Sequence, residues 1–170
     1  MLAGLPLAAA AGSGLSSMWR IELLHPAVVH FPVALTVVGS LFWILGHYRA
    51  LATFRVPAAA TLILAAAGAW LAVQTGLWAD AEVGRELFDP RPLKDHENLG
   101  LGFAWLMSGI AVGELLRLPG FLSQRIRNWI SLAVGLALVA AVVLVGYTAH
   151  LGAGLVYQQG AAVEMPREEP

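Results

Sequence analysis

The sequence predicts an all-α fold: an integral membrane four-helix bundle with antiparallel, up-down connectivity. Three observations carry this. Of 170 residues, 58% are hydrophobic and only 12% charged, against about 25% charged in a typical globular domain. The charges are also gathered into a few short stretches, leaving four apolar runs of roughly 20 residues, the length that crosses a bilayer. The connections between the runs are short enough to make successive helices antiparallel neighbours. This composition argues against a soluble enzyme and against a disordered chain. A formal net charge of −1 provides no basic field to attract a phosphate backbone, so no nucleic-acid partner is expected. The chain has no cysteine, which excludes disulfides, thiolate metal sites, iron–sulfur clusters and haem attached through thioethers.

The first run, Ala27 to Gly46, contains no acid, lysine or arginine. The second extends from about Val56 to Ala79 and is rich in alanine. The third covers about Leu99 to Leu116 and holds one acid, Glu114, three residues before Arg117, so the two side chains can pair near a helix end. The fourth begins near Trp129, stays apolar to about Ala149 and is able to continue as helix to Tyr157. A helix suits each because it satisfies its own backbone hydrogen bonds in lipid. The domain expected from these runs spans 22–160, between an N-terminal tail over 1–21 and a polar C-terminal tail over 161–170. The opening MLAGLPLAAAAGSGLSSM lacks the positive n-region of a secretory signal. It reads as a mobile tail, or as an upstream extension if Met18 is the true start.

Orientation follows from short loops. Arg49 and Arg55 lie in the first connection and Arg117, Arg125 and Arg127 in the third, with no acid in either. Cations in short loops weigh most in setting topology, which places these loops in the cytoplasm and both termini outside. Small residues supply the packing code. Gly109 and Gly113 form a GxxxG step, and AAATLILAAAGA occupies the second run; such residues let helix backbones approach closely. Trp43, Trp78 and Trp129 fall near span ends, where amphipathic rings favour the interface.

Of five histidines, His25, His30, His96 and His150 fall toward the outer side of the predicted topology and His47 toward the inner side. Chance alone would often produce that imbalance, so the surroundings matter more. His30 lies about one turn inside an apolar segment, and His150 follows some 20 apolar residues. Ionisable groups there are costly and mark functional sites by default. Gly100 follows His96 by four residues, and Gly146 and Gly154 lie four before and four after His150, on the same helix faces. Glycines above and below an imidazole leave a flat slot of the kind a planar macrocycle needs beside an axial ligand. Close helix packing uses glycine equally well, and both readings stay open. In HPAVVHFP, Pro26 suits a first helical turn, whereas Pro32 removes a hydrogen bond inside the helix and is expected to kink it. His25 and His30 are about 140° apart around the helix, so they do not share a face.

These segments carry a resemblance. LLHPAVVHFPVAL (Leu23 to Leu35), HENLG at the start of the third run and HLGAGLVYQQGAAV (His150 to Val163) resemble domain-of-unknown-function family 2231, bacterial predicted membrane proteins with four spans. The likeness covers about Glu22 to Val163. The family pattern has two histidines in HPxxVHFP, one opening the third span and one before the closing GxLVYxxG; here these are His25, His30, His96 and His150. Gln159 departs from it, standing where the family often has a further histidine. Family members occur fused or adjacent to Rieske-type or cytochrome c modules, which implies a redox setting in the bacterial inner membrane.

Three functional readings follow. The first is a b-type cytochrome, with one or two haems held between helices by pairs of imidazoles; bis-histidine ligation suits electron transfer because no open iron position remains. His30 with His150 is the first pair expected, both being embedded, and His25 with His96 the second. Quinol, a cytochrome c or a Rieske-type protein would be the redox partner, and the bilayer the surrounding solvent. The second is a non-catalytic anchor or assembly subunit in which the histidines bond helix ends and loops and no cofactor is bound. The third is a transition-metal site, copper being well suited to imidazole. No nucleophile elbow, HExxH or phosphate loop is present, and no inverted repeat of the transporter kind is evident. An electron carrier or accessory subunit therefore fits better than a stand-alone enzyme.

Overall fold

Each apolar run folds as one long helix. The structure, a computed structural model, describes residues 20–118, 120 and 122–163. Most of both expected tails, with Met1 and Met18, lies outside the described residues. Among those described, helix α1 is Leu24–His47, α2 is Arg55–Val83, α3 is Arg91–Arg117 and α4 is Gln124–Gln159. Short 3₁₀ segments, Ile21–Leu23 and Arg49–Phe54, precede α1 and α2. All four helices are long and apolar enough to cross a membrane.

The helices extend beyond the apolar runs. Helix α3 starts at Arg91, eight residues before Leu99, because RPLKDHEN carries Pro92 in the first turn, where a missing N–H costs nothing. Helix α4 begins after Ser123, whose hydroxyl accepts from the Ile126 N–H. It stops at Gly160, whose φ of +67° is the left-handed conformation that glycine adopts without strain and that closes a helix. Helix α1 runs unbroken through Pro32. The Pro32 ring lies against Gly68 of α2, where a β-carbon would stand 3.4 Å from Pro32 Cδ.

The core is made of small side chains with a few large ones. Ala58, Ala59, Ala65, Ala69, Ala104 and Ala141 are buried, around Leu62, Met107 and Ile110. Large apolar groups such as Phe31, Leu64, Leu136, Val139 and Val143 point outward. Lipid is as apolar as these side chains, so burying them gains little; close backbone approach and interhelical hydrogen bonds carry the packing instead. At Gly39 an added β-carbon would lie 2.7 Å from Leu62 Cδ2, and at Gly113 it would lie 2.6 Å from Val134 Cγ2. The GxxxG step thus packs through one member: a β-carbon on Gly109 meets nothing within 4 Å.

Helices α1 and α3 run in the same direction and meet across the middle of the bundle through three pairs, each separated by 71 residues. His25 faces His96, Thr36 lies 3.8 Å from the sulfur of Met107, and Trp43 bonds Glu114 at 3.0 Å. The constant offset is that of two parallel helices with equal rise. The equivalent bonds of His25 to Ala72 on α2 and of His96 to Thr148 on α4 make α1–α2 and α3–α4 similar hairpins, related by an approximate two-fold axis along the helices. The repeat is parallel rather than inverted.

The end bearing His25 and His96 is the histidine end; the opposite end carries the arginines of the two short connections. There Glu114, buried, accepts from the Trp43 indole and pairs with Arg117, as the spacing of Glu114 and Arg117 predicts. Trp43 therefore acts as a core clamp rather than an interfacial ring. It stacks on His47 at 3.9 Å and reaches α4, where a β-carbon on Gly135 would lie 2.7 Å from its ring. Gly113→Val should lower stability in detergent by about 1–3 kcal/mol, the usual cost of overpacking, whereas Gly109→Val should leave it unchanged; thermal unfolding followed by circular dichroism reads both.

Candidate functional site

At the histidine end, α1 and α3 each aim one imidazole at the bundle axis. The ring centroids of His25 and His96 are 5.9 Å apart and the ring planes stand at 89°. Both rings are half-buried. His25 Nδ1 donates to the main-chain carbonyl of Ala72 on α2, at 3.0 Å, and lies 3.3 Å from the Thr75 hydroxyl oxygen. The Thr75 hydroxyl gives its own proton to the carbonyls of Leu71 and Ala72, so toward His25 it can only accept. His96 Nδ1 donates to the main-chain carbonyl of Thr148 on α4, at 2.9 Å. A carbonyl cannot donate, which fixes the proton on Nδ1 in both rings and leaves both Nε2 atoms with a free lone pair.

Glycine makes this placement possible. Four residues beyond each accepting carbonyl, one helical turn, stands Gly76 on α2 or Gly152 on α4. A β-carbon on Gly76 would lie 3.1 Å from His25 Cε1, and one on Gly152 would lie 3.0 Å from His96 Cε1. Each imidazole therefore rests in a notch where the neighbouring helix carries no side chain. The two notches are copies of one another, as the hairpin repeat requires.

The other expected site residues are arranged differently. His30 is exposed on α1, with Nδ1 donating to the Pro26 carbonyl four residues back at 2.6 Å. His150 is exposed on α4. It stands two residues past Thr148, about 200° around the helix from it, on the side away from the axis. Along the helices the two lie at different heights, His30 about 7.5 Å further from the histidine end than His25. The structure thus brings His25 and His96 together and keeps His30 and His150 on the outer surface. A β-carbon on Gly100 or Gly146 meets nothing within 4 Å, and on Gly154 it meets only the Gln158 side chain at 3.9 Å, so these glycines border open space rather than a neighbouring helix. Sequence reasoning missed Gly76 and Gly152. Nothing within the span marks Ala72 or Thr148 as a hydrogen-bond acceptor, so the glycine one turn beyond each carried no signal. His47, at the other end, donates from Nδ1 to the Trp43 carbonyl and accepts the Ser131 hydroxyl at Nε2, both at 2.8 Å.

Around the pair, the histidine end is polar. Lys94 bridges Asp80 and Glu97, at 3.4 and 2.8 Å. The second carboxylate oxygen of Glu97, next to His96 in the chain, is enclosed without a hydrogen-bond partner. Glu22 is buried and paired with Arg20. In the connection before α3, the Asp89 main-chain N–H donates to the Gln159 side chain at 3.0 Å, tying the loop to the end of α4. No group of three or more histidine, aspartate or glutamate side chains suited to a metal ion occurs among the described residues.

The profile of a family described as predicted membrane protein (DUF2231) matches residues 22–165. The chain belongs to that family. The match includes all four helices and both members of the imidazole pair, so the site lies within what the family shares as a domain. No curated protein and no solved structure matches the chain.

The loop tie is sensitive to acid. The Arg91 guanidinium, bonded to the Asp89 carboxylate, holds that carboxyl below the usual carboxylate range, helped by the Arg91 main-chain N–H. A carboxyl with a depressed folded pKa stabilises the fold above its ordinary value and loses that contribution as pH falls through the folded value. Hydrogen exchange of the 84–90 segment should therefore stay slow from neutral pH through the ordinary carboxylate range, about pH 4, and accelerate only below it, after correction for intrinsic rates. In Asp89→Asn the segment should exchange faster already at neutral pH.

Proposed function

We propose that this protein is a bacterial inner-membrane electron carrier of the b-type cytochrome kind, with His25 and His96 as the axial donors. The histidine end faces the periplasm and the arginine-bearing loops the cytoplasm. The observation that carries the reading is the matched pair of Nδ1-to-carbonyl bonds. A metal-ligating histidine almost always ties its other ring nitrogen to a carbonyl or carboxylate, which fixes the tautomer and aims the ligating nitrogen. Here two helices fix two neighbouring imidazoles in this way. Centroids 5.9 Å apart suit two rings on opposite sides of one metal, each nitrogen about 2 Å from it.

The donor set favours haem over a bare ion. Zinc sites take three or four protein ligands, and the described residues group no third imidazole or carboxylate with this pair. Two axial donors are what haem iron needs from a protein, because the macrocycle brings the equatorial four. When bound, that iron supplies one-electron redox chemistry with no position open to substrate. The protein's own part is orientation: Ala72 and Thr148 hold the tautomers, and Gly76 and Gly152 leave the rings their places. The same two bonds also clip α1 to α2 and α3 to α4, which is all that an anchor subunit without cofactor would require of them.

An optical spectrum of the purified protein separates these readings. Oxidised and dithionite-reduced samples should show a Soret band and sharp reduced α and β bands of a low-spin bis-histidine haem. His25→Ala and His96→Ala should abolish or shift them to equal extents, because the residues are equivalent about the axis, whereas His47→Ala should leave them unchanged. The ring planes, held near perpendicular by their carbonyl bonds, should produce the highly anisotropic low-spin ferric signal in electron paramagnetic resonance. Gly76→Ala and Gly152→Ala should alter that signal by turning a ring without removing a ligand. No Soret band after expression with added haem would leave the anchor reading in place.

A further inference from the structure

The two-fold relation of the hairpins breaks at one seam. Its axis makes the α2–α3 contact equivalent to the α4–α1 contact. The first is extensive; the second is short and rests on Trp43 against Gly135 and His47 against Ser131, all toward the arginine end. The exposure of α4 follows this. On the face turned toward α1, Ser131 and Gly135 are partly covered, whereas Val142, Gly146, Ala149 and Ala153, further toward the histidine end, are exposed. These contacts between the two helices thus lie toward the arginine end, and the facing side of α4 is left uncovered by α1 over the half of the bundle that contains the imidazole pair. That side is nearly bare backbone. On α1 stands His30, whose Nδ1 is committed to the Pro26 carbonyl, so its Nε2 is a hydrogen-bond acceptor facing the lipid phase.

We infer that this uncovered side, with His30 of α1, is a docking site for a membrane-soluble quinol, with one ring hydroxyl donating to His30 Nε2 and the apolar tail left in the bilayer. The occupant follows from the site's chemistry. An acceptor at the edge of hydrocarbon calls for a donor that is itself lipid-soluble, and the bare surface of Gly146 and Ala149 suits a flat ring. His30 lies about 7.5 Å along α1 from His25 and about 140° around the helix from it. The inference rests on the haem reading for its acceptor. Oxidation of one quinol to quinone breaks two O–H bonds and releases two electrons and two protons. One proton passes to His30 Nε2 and then to water, the other to water at the histidine end. With haem held by His25 and His96, the electrons would pass singly to the iron and would be carried off by an external one-electron acceptor of the cytochrome kind.

Two measurements on the full-length protein in nanodiscs test this. In the first, which needs no haem, a short-chain azidobenzoquinone is photolysed with the protein and the labelled peptides are mapped. Labelling should concentrate on 26–37 and 142–153 and be competed by unlabelled quinone. It should fall about fivefold in His30→Ala, the loss expected for one hydrogen bond, and also in Gly146→Leu. Neither substitution should disturb the fold, since His30 is exposed and a β-carbon on Gly146 meets nothing within 4 Å. Uniform labelling of all lipid-facing helices, or labelling indifferent to both substitutions, overturns the inference. In the second, a reduced short-chain quinol should bleach ferric haem in the wild type and do so several-fold more slowly in His30→Ala, with the dithionite-reduced spectrum unchanged. Haem reduced by dithionite but not by quinol overturns the quinol site and leaves the haem reading standing. Absence of any Soret band overturns the haem reading and the electron transfer with it, while the labelling still decides whether this site takes quinone.

Discussion

Two imidazole-to-carbonyl bonds, His25 to Ala72 and His96 to Thr148, are the constraint on which the histidine end depends. Within a bilayer, apolar side chains gain almost nothing by turning inward, so a helix pair is held by close backbone approach and by the few polar groups that find partners. Each bond joins neighbouring helices of one hairpin. The carbonyl is already engaged in its own helix, but its second lone pair is free to accept. The glycine one turn further on allows the ring to come close enough to use it. Bond and notch together give each imidazole one place and one tautomer, and both hairpins carry the same device.

At the opposite end the same axis is closed by other chemistry. Trp43 and Glu114 occupy equivalent positions in the two hairpins yet have nothing in common as residues. They meet as donor and acceptor, with Arg117 completing the carboxylate's partners and placed 5.8 Å over the indole ring. A buried carboxylate without such partners would be strongly destabilising. Midway along the axis, Thr36 returns its hydroxyl to the Pro32 carbonyl at 2.7 Å while touching Met107. The repeat is thus mainly one of geometry, with each level of the axis closed by a different pair.

Polar atoms at the two ends serve different purposes. At the arginine end Nε2 of His47 is bonded to Ser131 and the Glu114 carboxylate is paired, which describes a clamp. At the histidine end the Nε2 atoms of His25 and His96 keep free lone pairs, which leaves the pair with unused coordinating capacity. The uncovered side of α4 lies at this same end, so the clamp holds one end of the bundle shut while the other stays open to the bilayer.

Composition and run length alone determined that this chain is a membrane-spanning bundle of four helices, because the thickness of hydrocarbon and the need to satisfy backbone groups within it leave few alternatives. The short connections likewise dictated that successive helices lie antiparallel. The motif histidines His25, His30, His96 and His150 were legible as candidates, since an ionisable group beside an apolar run is conspicuous wherever it falls. Which of them meet was not. Depth within the span suggested His30 with His150, but meeting depends on the rotation of each helix about its own axis. That rotation is set by contacts between residues far apart in the chain, Gly39 on Leu62, Gly113 on Val134 and Trp43 on Glu114. The resulting rotations turn His25 and His96 toward the axis and His30 and His150 away from it. They also place Gly76 and Gly152, rather than Gly146 and Gly154, beside the rings. Helix periodicity relates residues on one helix only, so the direction in which each face points was decided by the tertiary packing.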